Sequence, residues 1–226
     1  MKVTYLGHAA FLIETGGKKL VFDPFISANP LVKNLDIDQL KTDYVLVSHG
    51  HQDHVVDAEA ITKNNEATLI SNYEIATWFG QKGCTVYPVN HGGKVKMDFG
   101  TLKYVNAIHS SVLPDGTYGG NPGGFVVWND QNCFYFAGDT ALTWDMKLIP
   151  MTCPTLDFAI LPIGDNFTMG YEDAVIASDF IACDKIIGCH YDTFPYIEME
   201  KETAQKAFAD AGKELILLAI GETIEM

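Results

Sequence analysis

The apolar run Tyr44 to Val47 leads directly into Ser48-His49-Gly50-His51-Gln52-Asp53-His54, which places four groups able to bind a metal within six positions. A buried strand ending in a glycine-containing loop supports such a run. Alternate residues share a face, so His49 and His51 aim the same way, while Asp53 and His54 turn toward a second point nearby. Three of the chain's seven histidines fall here, a clustering that a solvated polar loop does not need. A buried strand whose C-terminal end delivers a polar side chain is how folds mixing sheet and helix place site residues at a sheet rim.

The rest of the chain agrees with a mixed fold. Short strands are predicted at Val3 to Leu6, Phe11 to Glu14, Leu20 to Phe22 after a Gly16-Gly17 turn, and Tyr44 to Val47. Apolar spacing of three to four predicts helices around Val55 to Asn64, Tyr73 to Phe79, Glu172 to Ile181 and Glu198 to Ala211. There is also an internal echo: KKLVFDPF followed by DYVLVSH resembles NCFYFAGDT followed by DFAILPIG. It points to a duplicated sheet-plus-helix half, packed face to face. No linker or low-complexity block divides the chain, and 226 residues with 47% hydrophobic content suffice for one large core, so residues 1–226 are expected to form one domain.

Fifteen basic against twenty-nine acidic residues leave a net charge of −14, which disfavours a nucleic-acid partner. Every basic residue is a lysine. Without arginine no planar fork can hold a phosphate or carboxylate, and any anion clamp must be lysine, backbone or metal. The longest apolar stretches, such as Leu215 to Ile220, are far shorter than a bilayer span of roughly 18 to 20 residues. The N-terminus, interrupted by His8 and Glu14, does not read as a signal peptide. Five cysteines without a C-x-x-C pair read as reduced packing residues. These features predict a cytoplasmic protein acting on a small molecule, with no membrane partner; the oligomeric state has no sequence signal.

Three further apolar runs end in a ligand: Tyr104 to His109, Phe134 to Asp139 and Lys185 to His190. With the first motif they supply enough ligands for two divalent ions. His49, His51 and His109 would hold one ion and Asp53, His54 and His190 the other, with Asp139 and a hydroxide bridging. Imidazole and carboxylate without thiolate suit zinc, manganese, iron or nickel.

The H-x-H-x-D-H segment followed by a separate His, Asp and His resembles the metallo-β-lactamase superfamily. The opening YLGHAAFLIETGGKKLVFDPFISANP and the later LPIGDNFTMGYEDA resemble its UPF0173 group, near the ascorbate-6-phosphate lactonase-like branch. The resemblance implies an α/β (α+β) four-layer αββα sandwich with one or two metals at the sheet edges, and a metal-dependent hydrolase using zinc or manganese. Asp23 falls where the superfamily keeps an aspartate supporting the ligand loop, though a turn residue before Pro24 explains it equally well. Diiron flavoprotein reductases of this pattern carry glutamate where this chain has His51, which favours hydrolysis over redox chemistry. Penicillin-cleaving members often place cysteine at the second site, and only Cys189 neighbours the motifs here.

His8, in LGHAAF, reads either as a proton donor or substrate contact at the mouth of the site or as a hydrogen-bonded histidine at a strand bend. His91 reads as a structural loop residue. The glycines from Gly119 to Gly124 lack the lysine and helix of a phosphate-binding loop and read as a flexible or tightly turned flap before the strand Phe125 to Trp128. Asp165 to Met169 either contact substrate or pack. The expected reaction is attack of a metal-bridged hydroxide on a small ester, lactone or phosphodiester, with Asp53 or His8 protonating the leaving group. The competing readings are a non-catalytic metal-binding protein and a diiron redox protein on the same fold.

Overall fold

In the computed structural model, which describes residues 1–226, apolar alternation builds two seven-stranded mixed sheets. The first contains β1 (Lys2–Gly7), β2 (Ala10–Thr15), β3 (Lys18–Phe22), β4 (Tyr44–Leu46), β5 (Thr68–Asn72) and β6 (Thr85–Val89). The second contains β7 (Lys94–Met97), β8 (Gly100–Asn106), β9 (Gly123–Trp128), β10 (Cys133–Phe136), β11 (Phe158–Pro162), β12 (Lys185–Cys189) and β13 (Glu214–Ile216). The last strand, β14 (Thr223–Glu225), returns to pair with β1.

Pairing is antiparallel from β14 through β3 and parallel from β3 to β6. The second sheet repeats this, antiparallel from β7 to β10 and parallel from there to β13. Hence β1, β3 and β4 point one way in their sheet, and β8, β10, β11 and β12 share a direction in theirs. Their C-terminal ends form the rims on which the ligand-bearing residues lie.

Three apolar clusters match the three interfaces of an αββα sandwich. Phe11, Ile13, Leu20, Phe22, Leu46 and Ile70 face Leu102, Tyr104, Phe125, Phe134, Phe136 and Ile160 between the sheets. The alternate residues point outward, as the two-residue strand period requires. Val45, Val47 and Leu69 meet α2 (Ala58–Asn64) and α3 (Tyr73–Gln81) through Ile61, Ile75 and Phe79. Tyr135, Ala159 and Ile186 meet α4 (Leu148–Thr152), α5 (Tyr171–Phe180) and α6 (Lys201–Asp210) through Ile149, Ala177 and Phe208. No helix is long and apolar enough to cross a membrane.

Local departures from the sequence reading have tertiary causes. The helix expected over Val55 to Asn64 is two, α1 (Gln52–Val55) and α2, because the Asp57 carboxylate between them accepts hydrogen bonds from the Ile26 and Ser27 amides at 2.7 and 2.9 Å. The last helix begins at Lys201, after a separate 3-10 turn over Pro195–Ile197. The glycine-rich segment is no flap: β9 already starts at Gly123, and a Cβ on Gly123 or Gly124 would collide with the Tyr104 ring or the Phe136 carbonyl. These glycines permit close packing. Four of the five cysteines are buried, and all five are free.

Candidate metal centre

The β4 ladder continues past its last strand residue through Val47 N–H, which donates to Ile70 O at 3.0 Å, so the following residues leave the sheet from a fixed point. His49 and His51 come next. Asp53 occupies the first turn of the short α1 and His54 lies buried beside it. His109, Asp139 and His190 follow β8, β10 and β12. His8 lies between β1 and β2, and Asp23 follows β3. His8, Asp23 and His190 adopt φ of +56°, +39° and +57°, a left-handed conformation costing non-glycine residues roughly 1–2 kcal/mol each. The His8 carbonyl joins the two rims, accepting from His190 N–H at 2.9 Å and from the Tyr5 hydroxyl at 3.1 Å.

All seven expected ligands come together. Asp139 Oδ2 lies 2.9 Å from His190 Nε2, 3.3 Å from His54 Nε2, 3.6 Å from His109 Nε2 and 3.9 Å from His49 Nε2. Asp53 Oδ2 lies 3.7 Å from His54 Nε2 and 3.9 Å from His190 Nε2. Donor atoms of His49, His51 and His109 fall within 4.8 Å of one another, as do those of Asp53, His54, His190 and His8. The second group thus holds one residue, His8, that the expected ligand set lacked.

Hydrogen bonds decide which imidazole nitrogens face inward. His54 Nδ1–H donates to Asp23 Oδ2 at 2.8 Å, leaving Nε2 buried without a hydrogen-bond partner. The Ser48 hydroxyl donates to the same carboxylate at 2.5 Å and therefore accepts from His49 Nδ1 at 3.0 Å. The His49 Nε2 lone pair then faces His51 Nδ1, 3.0 Å away. Asp23 also accepts from Ser48 N–H at 2.7 Å, so its place at a turn and its support of the ligand loop are one arrangement. Asp139 Oδ1 and His190 Nδ1 are likewise buried without partners. Unpaired buried polar atoms are costly, and inward nitrogens on imidazoles oriented by a carboxylate suit a divalent cation. The residues fit such ions.

The electrostatics divide the cluster. Burial pushes the His49 imidazole well below its usual pKa and lowers His51 and His109. Burial opposes charge on Asp139 as well, but His190 and His54 hold its carboxyl well below the carboxylate range. His54 moves upward against its own burial because Asp139, Asp53 and Asp23 surround it. Asp53 is also held low, by His54 and His8 against burial.

A cavity of about 290 Å³ opens onto the cluster, lined by His51, Asp53, His109, Ser110, Asp139, Phe167, His190 and Phe194. His8 does not line it. Its ring is buried behind Asp53, with Nε2 3.1 Å from Asp53 Oδ2 and Nδ1 2.9 Å from Thr193 Oγ1. Burial lowers His8 to about 4, an effect Asp53 only partly offsets. His91 is not brought to the site; its Nε2–H donates to Pro122 O at 2.8 Å. Sequence reasoning missed Ser48, Ser110, Thr193 and Phe194. Only Ser48 had a signal, its place beside the motif.

Residues 2–190 match the family model described as the β-lactamase superfamily domain. A UPF0173 metal-dependent hydrolase of Flavobacterium johnsoniae is 59% identical over 226 residues, covering 100% of both chains. The UPF0173 metal-dependent hydrolase YtkL of Bacillus subtilis is 42% identical, again with 100% of each covered. Among solved structures, Igni18, a metallo hydrolase from Ignicoccus hospitalis, superposes with a TM-score of 0.90 at 34% identity, covering 99% of this chain and 97% of that one. An isothiocyanate hydrolase from Delia radicum gut bacteria shares the fold, with a TM-score of 0.79 at 20% identity and 100% and 99% coverage. With the superfamily model matched over most of its length and relatives aligned end to end, the chain belongs to the metallo-β-lactamase superfamily and, within it, to the UPF0173 metal-dependent hydrolases.

Proposed function

We propose that this metal-dependent hydrolase holds two divalent cations, zinc or manganese, and cleaves a small ester or lactone. The supporting observation is Asp139: its Oδ2 lies within 3.9 Å of four imidazole nitrogens drawn from both ligand groups, so its carboxylate would serve both. His49, His51 and His109 would hold one cation, and Asp53, His54 and His190 the other. Cations bound there would supply Lewis acidity and lower the pKa of water to about 7.

The chain's own residues prepare the rest. Asp23 and Ser48 keep the Nε2 atoms of His54 and His49 turned inward. Asp53 borders the cavity as a carboxylate, positioned to relay a proton from water to the leaving group. His8 holds its Oδ2 from behind as a positioning residue, since it is walled off from the cavity and stays neutral near pH 7. Esters and lactones are favoured over phosphodiesters because no lysine lines the cavity, the chain has no arginine and its net charge is −14.

The test is metal content per chain by elemental analysis, run beside hydrolysis of chromogenic lactone, ester and phosphodiester substrates with zinc or manganese added back. Two ions per chain with lactone or ester turnover are expected. Fewer than one tightly held ion without rescue by added metal, or faster phosphodiester turnover, would overturn the reading.

A further inference from the structure

We propose that Phe167 and Tyr196 form an aromatic clamp at the cavity mouth, selecting substrates whose non-reacting portion is an uncharged aromatic group. The proposal deepens the hydrolase reading above and rests on it for the cavity's role.

Two separate loops present these rings. The loop after β11 is closed by an antiparallel bridge between Gly164 and Gly170 and anchored by Met169, which is buried and donates its amide to Thr140 O at 2.9 Å. Two successive residues, Asp165 and Asn166, take φ of +60° and +58°, and the next, Phe167, stands 52% exposed at the cavity. Asp and Asn tolerate this conformation better than other non-glycine residues, so the loop is built to turn sharply just before the ring. The loop after β12 has the same plan. Its buried ends, Tyr191 and Ile197, are drawn together by Asp192 N–H donating to Ile197 O at 2.8 Å, and Tyr196 is left 75% exposed.

The rings meet edge to face, with centroids 6.1 Å apart and planes at 73°. Phe194, on the second loop, lines the same cavity as Phe167 and packs on His8 and Phe25. Each loop thus buries its anchoring residue and leaves its aromatic ring in water, an arrangement that folding alone does not reward. A ligand ring inserted at the mouth would remove apolar surface from water and complete an aromatic cluster. Charge disfavours an anionic group: the first loop contributes Asp165, Asp192 on the second is ion-paired with Lys201 at 2.8 Å, and the cavity wall adds no lysine.

The test measures binding of benzohydroxamate and acetohydroxamate, which share a chelating head, to the full-length zinc-loaded protein. Benzohydroxamate is expected to bind about tenfold more tightly, and Phe167→Ala or Tyr196→Ala to reduce that preference about three- to tenfold. Acetohydroxamate affinity should stay unchanged in both variants, which also reports intact folding and metal loading. Equal affinities in the wild type, or a preference unmoved in both variants, would overturn the clamp even with ester turnover intact. A preserved, mutation-sensitive preference in a protein that hydrolyses no ester or lactone would instead overturn the hydrolase reading and leave the clamp standing. Failure of both hydroxamates to bind would overturn the clamp as well.

Discussion

The two halves of the sandwich share a topology but supply the candidate metal centre differently. Each runs three antiparallel pairings into three parallel ones. The first half offers a contiguous run, His49 to His54, in which Ser48 holds the His49 ring and Asp23 the His54 ring. The second offers single residues at three strand ends, His109, Asp139 and His190, where Asp139 Oδ1 and His190 Nδ1 have no partner, as His54 Nε2 has none in the first half, but where no Asp23-like carboxylate accepts from a ring Nδ1. One half is oriented by the protein's own hydrogen bonds. The other is placed by strand register and depends on what its polar atoms bind.

The largest effect should come from the residue that joins the halves. Asp139→Asn keeps the shape and removes the charge facing four imidazoles, so metal loading should fall and activity drop by about a thousandfold or more. Metal analysis and kcat/KM on the same preparation check it, and full activity would break the two-group arrangement. In the first half, Asp23→Asn should weaken metal affinity by about 10–100-fold, because it disturbs His54 directly and His49 through Ser48. Ser48→Ala should cost less: it removes the hydroxyl's hydrogen bonds to His49 and Asp23, but His54 keeps its carboxylate. Chelator competition ranks the two, and equal losses would show that the hydroxyl acts on both rings.

Stripping the metals should sharpen the contrast. Backbone amide exchange should accelerate around Asp139 and His190 more than around His49 and His54, where the Asp23 network persists. Uniform acceleration would mean that both halves lean on the ions equally. The smallest effect concerns His8. Its folded pKa is about 4 against 6.5 for the free side chain, so on acidification the unfolded chain takes up this proton first, and stability is lost as pH falls from about 6.5 toward 4. His8→Asn, which accepts the φ of +56°, should lack that loss. Urea unfolding of both metal-free proteins across this window checks it; parallel pH curves would place the sensitivity elsewhere.

Much of the site was legible in the chain because the signal was local. Apolar runs ending in His49, His109, Asp139 and His190 are strands whose direction and length place those residues on a rim. The internal echo was equally local: KKLVF and DYVLV are β3 and β4, CFYF and DFAILP cover β10 and β11, and each pair is the first parallel pairing of its sheet. Strand alternation depends on near neighbours and survives without tertiary information.

Other features depend on residues distant in sequence. His8 read equally well as a mouth residue, and only the approach of Thr193 across the sandwich shows it packed behind Asp53. The break between α1 and α2 follows from Asp57 reaching Ile26 and Ser27, which apolar spacing cannot register. Phe167 and Met169 carried the same ambiguity, contact or packing, until the loop buried one and exposed the other. The sequence therefore determined which residues stand at strand ends and which chemistry they carry, because a strand's period is a property of the local backbone. How those ends meet, and which atom of each ring faces the centre, came from the packing of two sheets, whose contacts no local pattern encodes.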